Sequence, residues 1–290
     1  MIINVFSNPS RYNINNIKIK INNPCILYLK FEIFILYKMS DINELIEKRY
    51  PIADILFRYL QWKNVTKNQI QEFVKTNKDL NDEKFLHKLR DEFKLKKNIE
   101  TVKYWKIKSA KHYKWVQKWV FGQTYLDFGG GDGYMAEFFG KSMGAEKIYC
   151  VDVAEWSGQK RKPNPNIIFE SDLKKIKDNS VGLISAWHVL HHIKNVEEVI
   201  DEFKRILKPN GRLVIYEHDV RGKMQDKMVE FQHRIFTMGM DTMTLKEHKK
   251  THTEFRSQKQ WEKMIGLKAL KIFKPKTNDY SYYEIFKLES

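Results

Sequence analysis

The sequence predicts an α/β fold, in which a mostly parallel sheet carries helices on both faces and a helical region precedes it. Residues 125–133 read YLDFGGGDG, an apolar run followed by closely spaced glycines. A second apolar run, IYCVD, ends in an acid nineteen residues after Gly133. Continuous apolar runs are typical of buried parallel strands, and glycine lets a chain turn sharply. The two segments therefore predict a strand, a glycine turn, a helix and a second parallel strand.

The glycine turn also predicts a binding site for a nucleotide-type cofactor. Gly129, Gly131 and Gly133 lack the Cβ atoms that would block a ligand, and the helix after them, roughly 134–142, offers unpaired N–H groups. Asp152, which ends the second strand, is placed to accept hydrogen bonds from ribose hydroxyls. The alternative is a glycine-rich turn without a ligand, but the spaced acid favours the cofactor site.

Asp127 indicates which cofactor this turn binds. Residues 131–136, GDGYMA, also satisfy the G-x-G-x-x-A pattern of dinucleotide sites. A dinucleotide would bring a pyrophosphate to the turn, and the carboxylate of Asp127 would repel it. S-adenosylmethionine carries an ammonium and a sulfonium, which a nearby carboxylate attracts. The sequence therefore favours S-adenosylmethionine, and a dehydrogenase is only a remote alternative.

These segments resemble the class I S-adenosylmethionine-dependent methyltransferases, most closely the group called type 11. The resemblance implies a Rossmann-like sheet with an antiparallel C-terminal edge pair. It also implies that the glycine turn surrounds the methionine part of the cofactor, that Asp152 binds the ribose, and that Asp172 with Leu173 meets the adenine. The predicted cofactor-binding residues are Asp127, Gly129, Gly131, Gly133, Asp152, Val153, Asp172, Leu173, Trp187 and His188.

The order of the later segments extends the resemblance. Residues 181–193 are similar to the family's fourth strand and the helix start after it, and residues 205–216 are similar to the turn and fifth strand. Two final strands are predicted near 267–274 and 280–288. Three residues depart from the family's usual pattern. Gly130 stands where the family usually has a cysteine or a similar residue, Gly182 where it has an acid, and Asn210 where it has a glycine. None of the three removes a predicted cofactor contact.

Three regions are predicted along the chain. Residues 1–38 are a doubtful extension, because asparagine, isoleucine and lysine fill 20 of the 38 positions. Met39 is the predicted natural translation start, since Asp41 after it can cap a helix. Residues 39–121 are predicted to be a helical N-terminal region, and residues 122–290 the methyltransferase domain.

A basic helix is predicted at about 101–120. Its apolar face would carry Trp105 and Tyr113, either of which could help to close the cofactor pocket, as helices at this place do in the family. The opposite face carries lysines at Lys103, Lys111, Lys114 and Lys118. These lysines are either a solvated face or a surface for nucleic acid. The net charge of +16 does not decide between the two, because lysine outnumbers arginine 42 to 10, as AT-rich coding DNA would produce.

Candidate catalytic residues follow the fifth strand, since ligands of open α/β sheets gather at the carboxyl ends of strands. His218 is the predicted general base because its ordinary pKa lies near neutrality, and Asp219 is predicted to orient it or to bind a cationic acceptor. Alternatively, both residues only make loop hydrogen bonds. The segment 221–255 is the predicted substrate lid.

No metal site is expected from the histidine spacing. His191 and His192 resemble a frequent Leu-His-His stretch of the family and are assigned structural roles. His233, His248 and His252 add no recognisable ligand spacing. The EHD segment, the insertion and the closing YSYYEIF are also loosely similar to methyltransferase-like proteins of large DNA viruses.

Composition and motifs together predict an intracellular enzyme. Cys25 and Cys150 are too few for a disulfide framework, which favours a reducing compartment such as the cytoplasm. No segment reaches the roughly 18 apolar residues of a membrane span. The predicted function is methyl transfer from S-adenosylmethionine to an unidentified acceptor: RNA, a protein or a small molecule. The alternative is a non-catalytic, cofactor-binding regulatory or scaffold subunit, and the oligomeric state is left open.

Overall fold

The computed structural model describes residues 52–60, 65–95, 102–152, 166–240, 243–275 and 280–289. All of them belong to one compact unit, residues 41–290. The predictions about residues 1–38, the Met39 start and Val153 lie outside the described residues, as does the side chain of Lys103.

In the described part of the chain, four helices precede the sheet. Thr66 caps the second of them through a capping box with Gln69, and the side chain of Asn81 caps the third. Such caps satisfy N–H groups that the first helical turn leaves unpaired. The fourth, basic helix ends at residue 116, four residues before the predicted end. The helices are α1 Ile52–Leu60, α2 Lys67–Asn77, α3 Asp82–Glu92 and α4 Val102–Val116.

A seven-stranded sheet forms the centre of the molecule, with strand order β3-β2-β1-β4-β5-β7-β6. The first five strands are parallel, and β7 runs antiparallel to both β5 and β6. The predicted Rossmann-like sheet and its antiparallel edge pair are confirmed. The strands are β1 Thr124–Phe128, β2 Lys147–Val151, β3 Ile167–Glu170, β4 Val181–Trp187, β5 Leu207–His218, β6 Lys268–Phe273 and β7 Ser281–Lys287.

The connecting helices differ from the predictions mainly at their ends. The helix predicted over 227–238 begins four residues earlier and changes into a π-helix at Ile235–Met240. Short 3₁₀ helices follow β3 and β4 at Leu173–Lys175 and Leu190–His192. The remaining α-helices are α5 Tyr134–Ser142, α6 Val196–Ile206, α7 Lys223–Arg234, α8 Leu245–His248 and α9 Gln258–Ile265.

The topology determines where a ligand can bind. The strand order reverses next to β1, which lies between β2 and β4. In open α/β sheets, ligands bind in the crevice at such a reversal, beyond the carboxyl ends of the strands. The glycine turn follows β1 directly, so this turn lies at the crevice. None of the helices in the described part of the chain has the length and apolar character needed to span a membrane.

Three apolar clusters hold these layers together. One packs α6 and α9 on one face of the sheet, and another packs α4 and α5 on the opposite face. The third joins the N-terminal helices to the insertion after β5, where Phe85 and Leu86 are buried with Phe231 and Ile235. The N-terminal helices and the predicted lid therefore share one core.

The unusual Gly182 has a packing reason. It is the second residue of β4 and lies opposite Gly122, and an added Cβ would lie 3.2 Å from the Gly122 Cα. That distance is shorter than ordinary van der Waals contact, so a side chain at this position would push the two backbones apart. The departure from the family pattern is therefore structural and lies at the end of β4 away from the glycine turn.

Candidate active site

The glycine turn has the backbone conformation that only glycine adopts without strain. Gly129, Gly131 and Gly133 have φ values of 74°, 53° and 74°. A Cβ added to Gly129 would overlap the side chain of Val189, which follows β4. The N–H of Gly129 donates to the carbonyl of Val151 at 2.7 Å, which ties the turn to β2. The turn is therefore fixed between β2 and the segment after β4.

Asp127 presents a buried carboxylate at the end of β1. Its Oδ1 accepts a hydrogen bond of 2.7 Å from the Ser185 hydroxyl, which lies 2.6 Å from the Tyr125 hydroxyl. Its Oδ2 has no hydrogen-bond partner among the described residues. Burial raises the pKa of Asp127 to about 7, while the neighbouring hydroxyls act to lower it. A buried carboxylate with one unsatisfied oxygen is a binding point for a cation.

Trp187 lies beside this carboxylate. Its indole N–H is buried and makes no well-aligned hydrogen bond within the described residues, although it lies close enough to Asp127 to lower the pKa of that carboxyl. The Trp187 ring packs against the ring of Phe139 at 5.2 Å between centroids and against His112 at 4.8 Å. The indole therefore borders the site from the end of β4.

Two acids that were predicted to bind the nucleoside follow β2 and β3. Asp152 accepts a hydrogen bond of 2.9 Å from the N–H of Gly131, so it also holds the glycine turn. Asp172 is exposed, and its side chain caps the 3₁₀ helix by accepting from the N–H of Lys174 at 2.9 Å. The side chain of Leu173 is buried in the core cluster below. Their roles toward a cofactor stay predictions.

His188 begins an aromatic stack beyond the end of β4. It has a φ of 52°, unusual for a residue with a side chain, and its ring lies 4.2 Å from Tyr216 and 4.4 Å from His218. Its Nε2 lies 2.8 Å from the Ser281 hydroxyl, which is 3.4 Å from Nδ1 of His218. The ends of β4, β5 and β7 are thus joined by side chains.

His218 and Asp219 have different environments. His218 is buried in this stack, whereas Asp219 faces two cations, Arg221 at 2.6 Å and Lys274 at 3.1 Å. The N–H of Gln258, the first residue of α9, also donates to Asp219 at 2.9 Å. Partial burial acts to raise the pKa of Asp219, but these hydrogen bonds outweigh it and hold the pKa below its usual range. The carboxylate is therefore committed to these partners, and its predicted role in orienting His218 stays a prediction.

A surface pocket of about 590 Å³ lies beside Asp219. It is lined by the start of α7, the start of α9 and Phe255. Arg221 and Lys223 face it together with Glu262, so its wall carries both signs of charge. This volume is in the range of small-molecule sites.

Three histidines converge although their spacing along the chain predicts no site. The ligand atoms of His191, His218 and His233 lie within 4.8 Å of one another. Nδ1 of His191 lies 2.6 Å from Glu217, whose other oxygen accepts from the N–H groups of Val189 and Leu190 at 3.1 and 2.9 Å. Burial raises the pKa of Glu217 to about 7. His191 is therefore part of a buried polar cluster at the end of β4 and β5.

A family model described as a methyltransferase domain matches residues 67–266. The chain belongs to this family. The match begins in the N-terminal helices, at the first residue of α2, and ends just after α9. The methyltransferase domain as matched therefore includes most of the helical region and the insertion after β5.

Similar proteins are methyltransferases too. The ubiquinone/menaquinone biosynthesis C-methyltransferase UbiE of Hydrogenovibrio crunogenus is 28% identical over 107 residues, which are 33% of this chain and 42% of that protein. The methyltransferase therefore matches less than half the length of this curated relative. An S-adenosylmethionine-dependent methyltransferase structure from Mesorhizobium loti has a TM-score of 0.46 and 13% identity, covering 61% of this chain and 97% of that one. One from Aquifex aeolicus has a TM-score of 0.43 and 18% identity, covering 63% and 97%.

S-adenosylmethionine is the cofactor of this methyltransferase family, and the residues present fit it. The unsatisfied Oδ2 of Asp127 is suited to an ammonium group, which donates hydrogen bonds and carries the opposite charge. The Cβ-free turn after it leaves room for close approach of a ligand. A pyrophosphate would meet the same buried carboxylate and be repelled. The dehydrogenase alternative is therefore not supported.

His112 is a site residue that the sequence analysis missed. It lies on α4, and its Nδ1 is 2.9 Å from the hydroxyl of Tyr283 on β7. Burial, with the nearby charges of Lys108 and Lys111, lowers the pKa of His112 to about 3, so the ring is neutral at physiological pH. His112 lies seven residues after Trp105 and four before Val116, a spacing that places all three on one face of a helix. Tyr113, which was predicted to help close the pocket, packs its ring on Phe139 at 5.6 Å between centroids, and its role toward the pocket stays a prediction.

Proposed function

We propose that this protein transfers a methyl group from S-adenosylmethionine to an acceptor bound near the carboxyl ends of β4 and β5. The observation that carries the proposal is the buried Asp127, whose second oxygen has no hydrogen-bond partner in the described residues and adjoins the glycine turn. A buried charge needs a counter-charge, and the cofactor's ammonium supplies one. When bound, S-adenosylmethionine provides an activated methyl group on a sulfonium.

The residues of the site give the chain three tasks in this reaction. Asp127 binds the amino-acid part of the cofactor, and Asp152 and Asp172 receive the hydroxyls and amino group of its nucleoside. The ring of Trp187, with the aromatic side chains packed on it, excludes water from the reacting centre. Exclusion of water strengthens the electrostatic interactions inside the site.

His218 is the proposed base for an acceptor that must lose a proton. It lies at the end of β5, stacked on His188 and close to the Ser281 hydroxyl, so its ring orientation is held from two sides. In-line displacement demands alignment of the acceptor, and a fixed imidazole can provide both a hydrogen bond and a proton acceptor. Replacement of His218 by alanine should lower kcat more than cofactor affinity.

The test is methyl transfer from radiolabelled S-adenosylmethionine to cell extract separated into RNA, protein and small-molecule fractions. The wild-type chain should label one fraction. Asp127→Asn should label none, and Asp201→Ala, which removes an exposed acid of α6, should match the wild type. Absence of label in every fraction, with cofactor binding shown by calorimetry, would overturn the proposal in favour of a non-catalytic regulatory or scaffold subunit.

RNA is the acceptor class that we propose for this reaction. Lys111, Lys114 and Lys118 are exposed on or just after α4, the helix that also carries His112 into the site. Trp115 is 38% exposed among these lysines, and its ring stacks on Tyr283. Lysines contact phosphates and an exposed ring stacks on a base, so this surface suits a single strand that runs toward the active site.

Salt dependence distinguishes this interface from general charge attraction. Changing Lys111, Lys114 and Lys118 to glutamate should weaken RNA binding and reduce the slope of log affinity against log salt by about 2, because each lost phosphate contact on a single strand contributes about 0.7. A control with the same charge change on another surface should keep most of the slope: Lys259, Lys263 and Lys268 to glutamate. Equal losses in both variants would refute the specific surface.

A further inference from the structure

We propose that the protein binds a divalent transition-metal ion, with Zn²⁺ the best fit, between His191, His218 and His233. This inference goes beyond methyl transfer and does not depend on it. An imidazole whose lone pair binds an ion cannot also accept a proton, so His218 would be the base only in the metal-free protein. The three residues come from separate elements, namely the 3₁₀ helix after β4, the end of β5, and α7. Imidazole nitrogen is a preferred ligand of Zn²⁺, and three histidines with one further ligand are an established zinc geometry.

The distances suit one ion. The ligand atoms of the three rings lie within 4.8 Å of one another, and Nε2 of His191 is 3.0 Å from Nε2 of His233. Zinc–nitrogen bonds of about 2.0–2.1 Å in a tetrahedron place two ligand nitrogens about 3.3 Å apart. The closest pair therefore needs to separate by a few tenths of an ångström, and His218 needs a modest approach. The described residues supply three ligands, so water or another small ligand would complete four-coordination.

The partners of the other ring nitrogens are those that hold metal-binding histidines in place. Nδ1 of His191 is paired with Glu217 at 2.6 Å, and Nδ1 of His233 donates to the carbonyl of Val229 at 2.9 Å. Metal-binding histidines commonly donate their second N–H to a carboxylate or a backbone carbonyl, which fixes the ring and leaves the first nitrogen for the ion. Glu217 is in turn held by two backbone N–H groups.

Proton positions show what changes when the ion enters. The Val229 carbonyl can only accept, so the proton of neutral His233 is on Nδ1 and its Nε2 carries a lone pair. The 3.0 Å contact between the two Nε2 atoms then requires a proton on Nε2 of His191. The 2.6 Å contact between Nδ1 of His191 and Glu217 requires a second proton, carried by either group. The pair therefore holds one proton more than it would with neutral His191 and ionised Glu217. An entering ion takes both Nε2 lone pairs. One proton leaves to solvent, Nδ1–H of His191 donates to ionised Glu217, and the carboxylate partly balances the charge of the ion.

The surroundings favour an ion over a purely polar cluster. The ring of Phe255 lies 5.2 Å from His191, 5.7 Å from His218 and 5.0 Å from His233, and Glu217 is fully buried. Imidazoles and a carboxylate that are removed from water in this way carry a desolvation cost, which a bound ion offsets. The alternative is a chain of hydrogen bonds that only stabilises the fold.

The experiment uses the untagged full chain, freed of metal with a chelator and titrated with Zn²⁺ by calorimetry and with Co²⁺ by visible absorption. We expect one ion per chain and the intense visible bands of tetrahedral Co²⁺. His233→Gln should abolish this binding, and Glu217→Gln should weaken it about 10- to 100-fold, the usual effect of losing a carboxylate behind a metal-binding histidine. The matched control is His192→Ala, which removes the exposed neighbouring histidine and should bind the ion as the wild type does.

Several results would overturn the site. One is wild-type protein that binds no Zn²⁺, or that gives only the weak spectrum of octahedral Co²⁺. Others are unchanged affinity in His233→Gln or loss of binding in His192→Ala, because either result would give a different ligand set. The wild-type Co²⁺ spectrum tests the metal site even if a variant fails to fold. Binding of S-adenosylhomocysteine to each variant shows whether it is folded and does not require methyl transfer.

Discussion

Replacing Asp127 with asparagine should stabilise the cofactor-free protein while removing cofactor binding. Asp127 is fully buried, and its pKa rises from 3.8 to about 7 because burial disfavours the charged form. Between these two pH values the folded state keeps a proton that the unfolded state has lost. The free energy of unfolding therefore falls as pH rises, by about 1.4 kcal/mol per pH unit and about 4 kcal/mol in total. Asparagine cannot ionise and removes this loss, while its side-chain oxygen can still accept from Ser185.

The assay is urea unfolding of wild type and Asp127→Asn without cofactor at pH 5 and pH 8. The variant should gain stability over wild type mainly at pH 8, up to about 4 kcal/mol. In parallel, wild-type affinity for S-adenosylhomocysteine should be about tenfold higher at pH 8 than at pH 6, because only ionised Asp127 attracts the ammonium and a pKa of about 7 changes its ionised fraction about tenfold over that range. Methylthioadenosine, which lacks the amino acid part, should show no such change. A variant equally destabilised at both pH values, or a flat pH dependence of affinity, would refute the reasoning.

Two further predictions concern packing and charge. Gly129→Ala should lower the free energy of unfolding by more than about 2 kcal/mol and weaken cofactor binding, because residue 129 has a positive φ and the new methyl group overlaps the Val189 side chain. Gly144 has the same φ but nothing within 4 Å of an added Cβ, so Gly144→Ala should cost only about 1 kcal/mol in urea unfolding. Asp82→Ala should cost about 1–3 kcal/mol because it removes the α3 partner of buried Arg234, which keeps its ion pair with Glu230, whereas removal of exposed Asp201 should cost less than about 1 kcal/mol. Similar losses in either matched pair would contradict the packing or burial argument.

Local signals account for the parts of the fold that were predicted correctly. The glycine turn, the parallel strands and the antiparallel edge pair each leave a pattern within ten or so residues, through apolar runs, turn residues and their order. Helix ends were less well predicted. Residues 117–120 continue the apolar pattern of α4 but are not helical, and the periodic pattern of α7 gives no sign of the change to a π-helix at Ile235.

The site was predictable only where one segment carries it. Asp127 and the glycines are neighbours in sequence, so their pattern was visible. His191, His218 and His233 are brought together only by the packing of α7 over the ends of two strands, and no local spacing reports that contact. Strand alternation continued one residue past β5 places Asp219 on the same side as Glu217 and opposite His218, which is a signal against a direct pairing of His218 with Asp219.

The space beside Gly130 in the glycine turn is filled by a side chain from the neighbouring strand. Where the family usually has a cysteine, this chain has Gly130, and a Cβ added there would lie 2.5 Å from the sulfur of Cys150 on β2. Sulfur thus fills the same space but is supplied by the neighbouring strand. A side chain at position 130 therefore fits only if the Cys150 side chain moves or is replaced by a smaller one. We expect the sizes of these two residues to vary together among relatives.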